Sequence, residues 1–231
     1  MQVTEFMNQT YAAYRGKGAS KTPVAGSEKY NTALAIANRK IKEWATDPNN
    51  KWASLFEVRT IDTVDATTPI YTYDLPADFF SASDFAEIIK TDGSKLEYPI
   101  VLPQRRNLYN QALYVSGRNP HKITFSQTID SGLNGGTLKV AAYYIPADLV
   151  NPTDVIPVDS PEWLIYATAA ELARNDAAKD DQFPNLVGIA NDLYRKMVEA
   201  NNMAGFMQDN IVDNGMPVIG LGSTDDWTRV E

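Results

Sequence analysis

The residue types that carry most enzyme chemistry are scarce in this chain, and the few present are badly placed for it. His121 is the single histidine among 231 residues and cysteine is absent. No histidine pair or thiolate set exists to hold a metal, and one imidazole is left as a general base. Asn119-Pro120 before it and Lys122 after it put that imidazole in a surface turn. There is no G-x-S-x-G nucleophile elbow, no phosphate-binding glycine loop and no H-E-x-x-H helix. Gly220-Leu221-Gly222-Ser223-Thr224 has the glycines of a phosphate loop but neither its basic residue nor a following helix. Among the carboxylates, Asp180-Asp181 falls in a link between helical stretches and Asp225-Asp226 near the chain end, where capping and solvation account for both. A glycosidase pair assembled from distant carboxylates stays open, because such pairs meet in space and not in sequence. The aromatics Tyr71, Tyr73, Phe79, Phe80, Phe85, Tyr98, Tyr109 and Tyr114 could line a carbohydrate groove, although a core or an interface is the favoured use. No catalytic residue, cofactor or metal is expected, and the chain is read as a non-enzyme.

Composition narrows the class. With 44% hydrophobic and 22% charged residues the chain is an ordinary globular one. It has no apolar run long enough to span a bilayer, so no membrane partner is expected, nor a signal peptide. The net charge of −8 disfavours a nucleic-acid grip, which needs a basic face. That charge is uneven: the first 52 residues are net basic and the remainder acidic, so copies or partners could meet through opposite patches, while a solvated mixed surface is the blander reading. Arg105-Arg106 is the one basic pair of the middle region.

The elements that must position these residues follow from periodicity. Ser160 to Asn202 spells two amphipathic helices. Asp159 and Ser160 offer caps, Pro161 suits the first helical position, and an alanine-rich run continues to about Lys179. After Asp180-Asp181-Gln182-Phe183, Leu186, Ala190, Leu193, Met197 and Ala200 recur at steps of four and three. Tyr30, Leu34, Ala37, Ile41 and Trp44 repeat that spacing behind Ser27, and Val3, Phe6, Met7, Thr10, Tyr11 and Tyr14 form a shorter helix that docks on the bundle or on a neighbouring copy. Between Trp52 and Ile145 the period falls to two. Seven strands are expected: 55–62, 70–75, 85–90, 96–101, 112–116, 122–126 and 137–145. Residues 203–231 are rich in glycine and without period, yet they carry Phe206, Met207, Ile211, Val212, Met216, Val218, Ile219, Leu221 and Trp227. They are too apolar for a solvent tail and too short to make a core of their own, so they are expected to order on a partner. An arm folded back on its own helices is the alternative. The expected fold is α+β: N- and C-terminal helices (1–52 and 159–202) forming a bundle, an inserted antiparallel β-domain (53–158), and an extended C-terminal arm (203–231).

The order of these motifs resembles a known family. A helix ends in Trp44 and a turn leads to Trp52; a strand runs out through Tyr73-Asp74-Leu75-Pro76-Ala77-Asp78-Phe79. Later a Pro161-Glu162-Trp163 helix precedes one containing Ala190-Asn191-Asp192-Leu193-Tyr194-Arg195-Lys196-Met197. Over about residues 27–202 this resembles the bacteriophage head-to-tail adaptor (connector) family, the tail tubular protein A group of short-tailed phages in particular. The resemblance implies a structural virion protein, made in the host cytoplasm and placed at the head-tail junction as a ring, commonly of twelve copies. It implies that the helices and the arm dock on the portal protein and that the β-part faces the next tail component, a nozzle or tail tube. DNA would then pass through the ring without being read. The alternative is a tail or baseplate module that uses the aromatic β-surface to bind carbohydrate or protein.

Overall fold

The computed structural model describes residues 1–16, 22–67, 71–109, 111–118, 120–127, 129–179 and 181–210, with the backbone alone for 204–210. Among the described residues, four α-helices flank seven strands in chain order: α1 (Val3–Arg15), α2 (Glu28–Ala45), β1 (Phe56–Thr63), β2 (Thr72–Asp74), β3 (Phe79–Ile89), β4 (Lys95–Val101), β5 (Leu113–Ser116), β6 (Lys122–Phe125), β7 (Thr137–Tyr144), α3 (Pro161–Arg174) and α4 (Phe183–Asn210). The chain is thus mixed α+β.

The helix starts follow from their caps. Ser27 Oγ accepts the Tyr30 N–H and Ser160 Oγ the Trp163 N–H, each at 3.4 Å, which satisfies donors that the first turn leaves orphaned. Helices α1, α2 and α4 each pack against α3. Their apolar stripes share one core with Trp52 and Leu55 from the start of the β-region and Leu149, Ile156 and Val158 from the returning strip. Helix α1 spends its face on its own chain: Val3, Phe6, Met7 and Thr10 are fully buried, so a neighbouring copy is not needed to cover it. Two helix ends differ from expectation. The alanine-rich helix stops at Arg174, with Asn175 as its cap and a short 3-10 turn over Ala177–Lys179. The last helix runs through Asn202 to Asn210, so 203–210 are helical where an arm without secondary structure was expected; Gly205 lies inside it and does not end it.

All seven expected strands form, in the order β1-β7-β3-β4-β5-β6-β2. The sheet curls far enough for the Asp65 N–H to reach the Tyr73 hydroxyl at 3.4 Å, and Val64, Tyr73, Ile88, Leu113, Ile123, Leu138 and Val140 fill its concave side. One pairing corrects the antiparallel expectation: β4 and β5 run parallel through Ile100↔Leu113 and Val101↔Tyr114. Parallel neighbours need a crossover and not a hairpin. Here a 3-10 turn over Pro103–Leu108 supplies it, and its lack of period hid the reversal. Strand β3 also begins six residues before the expected Phe85, bulging between Ala82 and Ala86. The β5–β6 turn depends on Gly117 at φ 77°, where an added Cβ would lie 2.8 Å from the Pro120 carbonyl oxygen.

Candidate docking surfaces

The structure places only some of the residues with catalytic potential. The His121 ring packs against Phe79 at 5.2 Å, and its backbone carbonyl accepts the Leu75 N–H. Asp181 is exposed, while Asp180, Asn119, the glycine run 220–224 and Asp225-Asp226 lie outside the described residues. No group of three potential metal ligands occurs among the described residues. The β-region aromatics divide between core and surface. Tyr73, Phe79 and Tyr98 are buried in the curl of the sheet; Tyr71, Phe85 and Tyr109 are partly exposed on separate elements.

What the sequence did not reveal is a joint between the layers, built by α4. Where the chain leaves α2 for β1, the Trp52 indole N–H donates to the Trp44 carbonyl at 2.7 Å, and the two rings lie 5.4 Å apart. Tyr194 of α4 packs its ring on both Trp52 and Trp163 and donates its hydroxyl to Asp47. About two turns further along, the Asn201 side chain donates to the Lys51 carbonyl and accepts the Ala53 N–H, both at 2.9 Å. Burial pushes the Asp47 carboxyl up, but the hydrogen bonds from Tyr194, Asn49 and Asn50 outweigh it and hold the group below its ordinary value. Burial and the same Asp47 contact push the Tyr194 phenol up. The helix that leads toward the C-terminus therefore clamps the entrance to the sheet. The Tyr-Arg-Lys-Met run located Tyr194, but only the fold shows that Asp47 is its partner.

Two further surfaces stand out. The β4–β5 crossover exposes Leu102 and Leu108, at 62% and 76%, on either side of Arg105-Arg106. Such leucines escaped notice because no periodic stripe contains them. At the other end of the helical layer, α1, α2 and α3 converge on a cavity of about 800 Å³ lined by Tyr11, Tyr14, Arg15, Glu28, Lys29, Thr32, Leu172, Asn175, Asp176 and Lys179. The Tyr14 hydroxyl donates to Asp176 at 2.5 Å; burial first and this contact second push the phenol up to about 12, and the same bond with the Ala178 N–H holds Asp176 low.

The family model described as SU10 adaptor protein matches residues 23–213. The chain belongs to the SU10 adaptor family. These are phage head-to-tail adaptors, structural proteins of the virion and not a class of enzyme, and membership implies interaction with portal and tail components. The matched span includes α2, the sheet, α3 and the whole of α4, and leaves out α1. No curated protein matches the chain. Among the described residues, no helix is long and apolar enough to cross a membrane. Of the adaptor's nine expected arm residues, Phe206 and Met207 fall on α4, while Ile211, Val212, Met216, Val218, Ile219, Leu221 and Trp227 lie outside the described residues.

Proposed function

We propose that the protein is a subunit of a ring, of twelve copies, that joins the portal to the tail and forms part of the channel through which DNA passes. In this reading the helical layer (1–52 and 159–202) docks on the portal and the β-layer (53–158) faces the downstream nozzle or tail tube. The arm carries Phe206, Met207, Ile211, Val212, Met216, Val218, Ile219, Leu221 and Trp227 along the portal. The observation that carries the reading is the joint: α4 holds the sheet entrance through Tyr194 and Asn201 and then continues nine residues beyond that clamp toward the arm. A pull on the arm is thereby delivered to both layers at once, as a connector under load requires. An acidic surface supports passage of DNA without sequence-specific binding, since negative walls give phosphates no neutralising partner. The exposed Leu102 and Leu108 give the β-layer an apolar contact for the tail component. Light scattering on mixing the protein with its portal tests the proposal: a stoichiometric large assembly, ring-shaped by electron microscopy, is expected, and two species that stay separate at micromolar concentration would overturn it.

A further inference from the structure

We propose that the β4–β5 crossover seats in an acidic surface of the downstream tail component, its two leucines filling apolar holes and its arginines meeting the carboxylates around them. The inference rests on the reading of the β-layer as the face toward the tail and adds the chemistry of the surface it meets. The β-layer (53–158) is acidic as a whole, yet all twelve of its carboxylates fall outside the stretch from Tyr98 to Ile129, and four of its eight Lys and Arg residues fall inside it. Of those four, Lys122 is taken by Asp74 at 3.3 Å. Arg105 and Arg106 are exposed on the crossover, and neither forms an ion pair among the described residues. Asp130, beyond the end of β6, already accepts the Gly132 N–H at 2.9 Å, and Glu97 stands opposite Glu87 on β3. The local charge of the crossover is therefore positive.

The turn is also held in a defined shape. The Arg105 N–H donates to the Leu102 carbonyl at 2.8 Å, the Ser126 hydroxyl donates to the Tyr109 carbonyl at 3.3 Å, and the Arg106 guanidinium lies 5.8 Å from the Tyr114 ring centroid. Leu102, Arg105 and Leu108 follow one another at steps of three, and in a 3-10 turn residues three apart share one side. At about 2 Å per residue the leucines stand about 12 Å apart with Arg105 between them. A row of leucine, arginine and leucine that is ordered before binding loses little conformational freedom on binding.

The combination selects the occupant. A nucleic-acid backbone would meet the arginines and leave both leucines in water. A neutral apolar surface would cover the leucines and strip water from two guanidiniums without replacing its hydrogen bonds. A protein surface with carboxylates around apolar holes satisfies both sets. The same pattern orients the partner: the rest of the β-layer, with twelve carboxylates against four cations, repels an acidic surface, and the crossover receives it. A second copy of the chain brings acidic groups too, but those beside its exposed Val58, Val150 and Val155 are already engaged. Glu57 meets Arg59 at 2.6 Å, Asp148 meets Lys42 at 2.8 Å, and Asp154 accepts the Val150 and Asn151 N–H groups.

The test uses full-length protein assembled on its portal, to which purified tail component of the same particle is added, with joining read by sedimentation. Arg105→Glu with Arg106→Glu is expected to weaken joining at least tenfold at about 50 mM salt, and to come within about threefold of the wild type at about 0.5 M, where the screening length is about 4 Å. Leu102→Ser with Leu108→Ser is expected to weaken joining at least tenfold at both. Both variants are expected to keep the wild-type thermal midpoint and to bind the portal as the wild type does. A double variant whose midpoint falls is replaced by Arg105→Glu or Leu108→Ser alone, for which the same outcomes apply. Joining at the wild-type level by both variants would overturn the proposal, as would an arginine defect that is equal at the two salt concentrations. Rings that no longer close in either variant would place a second copy on the crossover. Unchanged joining, with loss of a short DNA duplex that the wild-type assembly retains, would place nucleic acid there; either result overturns the assignment to the tail component. Portal assembly by the wild type with joining that ignores these substitutions sinks this contact and leaves the ring reading standing, whereas an absence of portal assembly removes the ring reading itself.

Discussion

The helical layer and the curled sheet are held together in different ways. The sheet's core comes from one continuous stretch, Val64 to Tyr144, and its turns are closed by local hydrogen bonds such as Ser94 to Asp92 and Gly132 to Asp130. The helical layer is closed by partners more than a hundred residues apart: Asn38 exchanges two hydrogen bonds with Leu149, Tyr14 reaches Asp176, and Tyr194 and Asn201 reach Asp47 and Lys51. Long-range closure costs loop entropy before it is rewarded, so the sheet can form on its own stretch of chain while the helical layer must wait for both ends. The layer that gathers both ends is also the one that α4 extends. Under the proposed function, rigidity then lies where load enters.

The comparison breaks first at Trp163. It is 7% exposed, packs on Tyr194 and belongs to the core that joins all four helices. Trp163→Ala is expected to cost about 3–5 kcal/mol in denaturant unfolding, the range for deleting a buried large aromatic. A cost below about 1 kcal/mol would place the ring outside the core and remove the argument for a closed helical layer.

Next in size is the joint. Tyr194→Phe keeps the ring packing and removes one hydrogen bond to a carboxylate, so a loss of about 1.5–3 kcal/mol near neutral pH is expected. The pH dependence sharpens the assignment. Because Asp47 is held below its unfolded value of 3.8, its contribution is complete above that pH and is lost as pH falls through the lower folded value. The phenylalanine variant lacks the largest of the interactions that hold Asp47 down, so its acid limb flattens in urea titrations between pH 2 and 5. An unchanged limb would mean that Asn49 and Asn50 alone set the carboxyl. At the opposite extreme, Tyr14 is raised to about 12 from 10.0, so its bond to Asp176 stabilises fully below pH 10 and is lost as pH rises through about 12.

The fold was largely legible in the sequence because periodicity reports burial. Tyr30, Ala37, Ile41 and Trp44 are buried as their spacing requires, and all seven strands overlap their expected places, β3 starting six residues early. The misreadings have physical causes. Pro103 and the arginines after it carry no period, so nothing announced a parallel crossover. Residues 203–231 show no period, yet α4 continues through Gly205, because a glycine inside a helix costs only about 1 kcal/mol, little against the length of α4. The docking surfaces were less legible. The Asp47–Tyr194 and Asn201–Lys51 pairs join residues of ordinary type at distant positions, and no local pattern marks them.

A smaller effect is expected at Lys42 and Asp148, a 2.8 Å ion pair between α2 and the returning strip with both side chains about half exposed. Solvent screens such a pair, and Lys42→Ala is expected to change stability by no more than about 1 kcal/mol. The neighbouring Asn38–Leu149 clasp is two hydrogen bonds to backbone, and Asn38→Ala should cost more than the ion pair. The reverse order would mean that the strip is held by charge and not by backbone pairing.

The smallest effect on stability is expected from removing residues 211–231. Among the described residues the core cluster of the helical layer draws on α1 to α4 as far as Val198, and the Asn201 clamp lies nine residues before the cut. A shortened chain should therefore keep its thermal midpoint to within about a degree, since even 1 kcal/mol moves a chain of this size by about 2–4 °C. The same truncation should abolish association with the portal, because it removes Ile211 to Leu221 while leaving the docking helices intact. A midpoint that falls by several degrees would mean that the segment packs on its own helices, and the arm would then belong to the fold and not to the assembly.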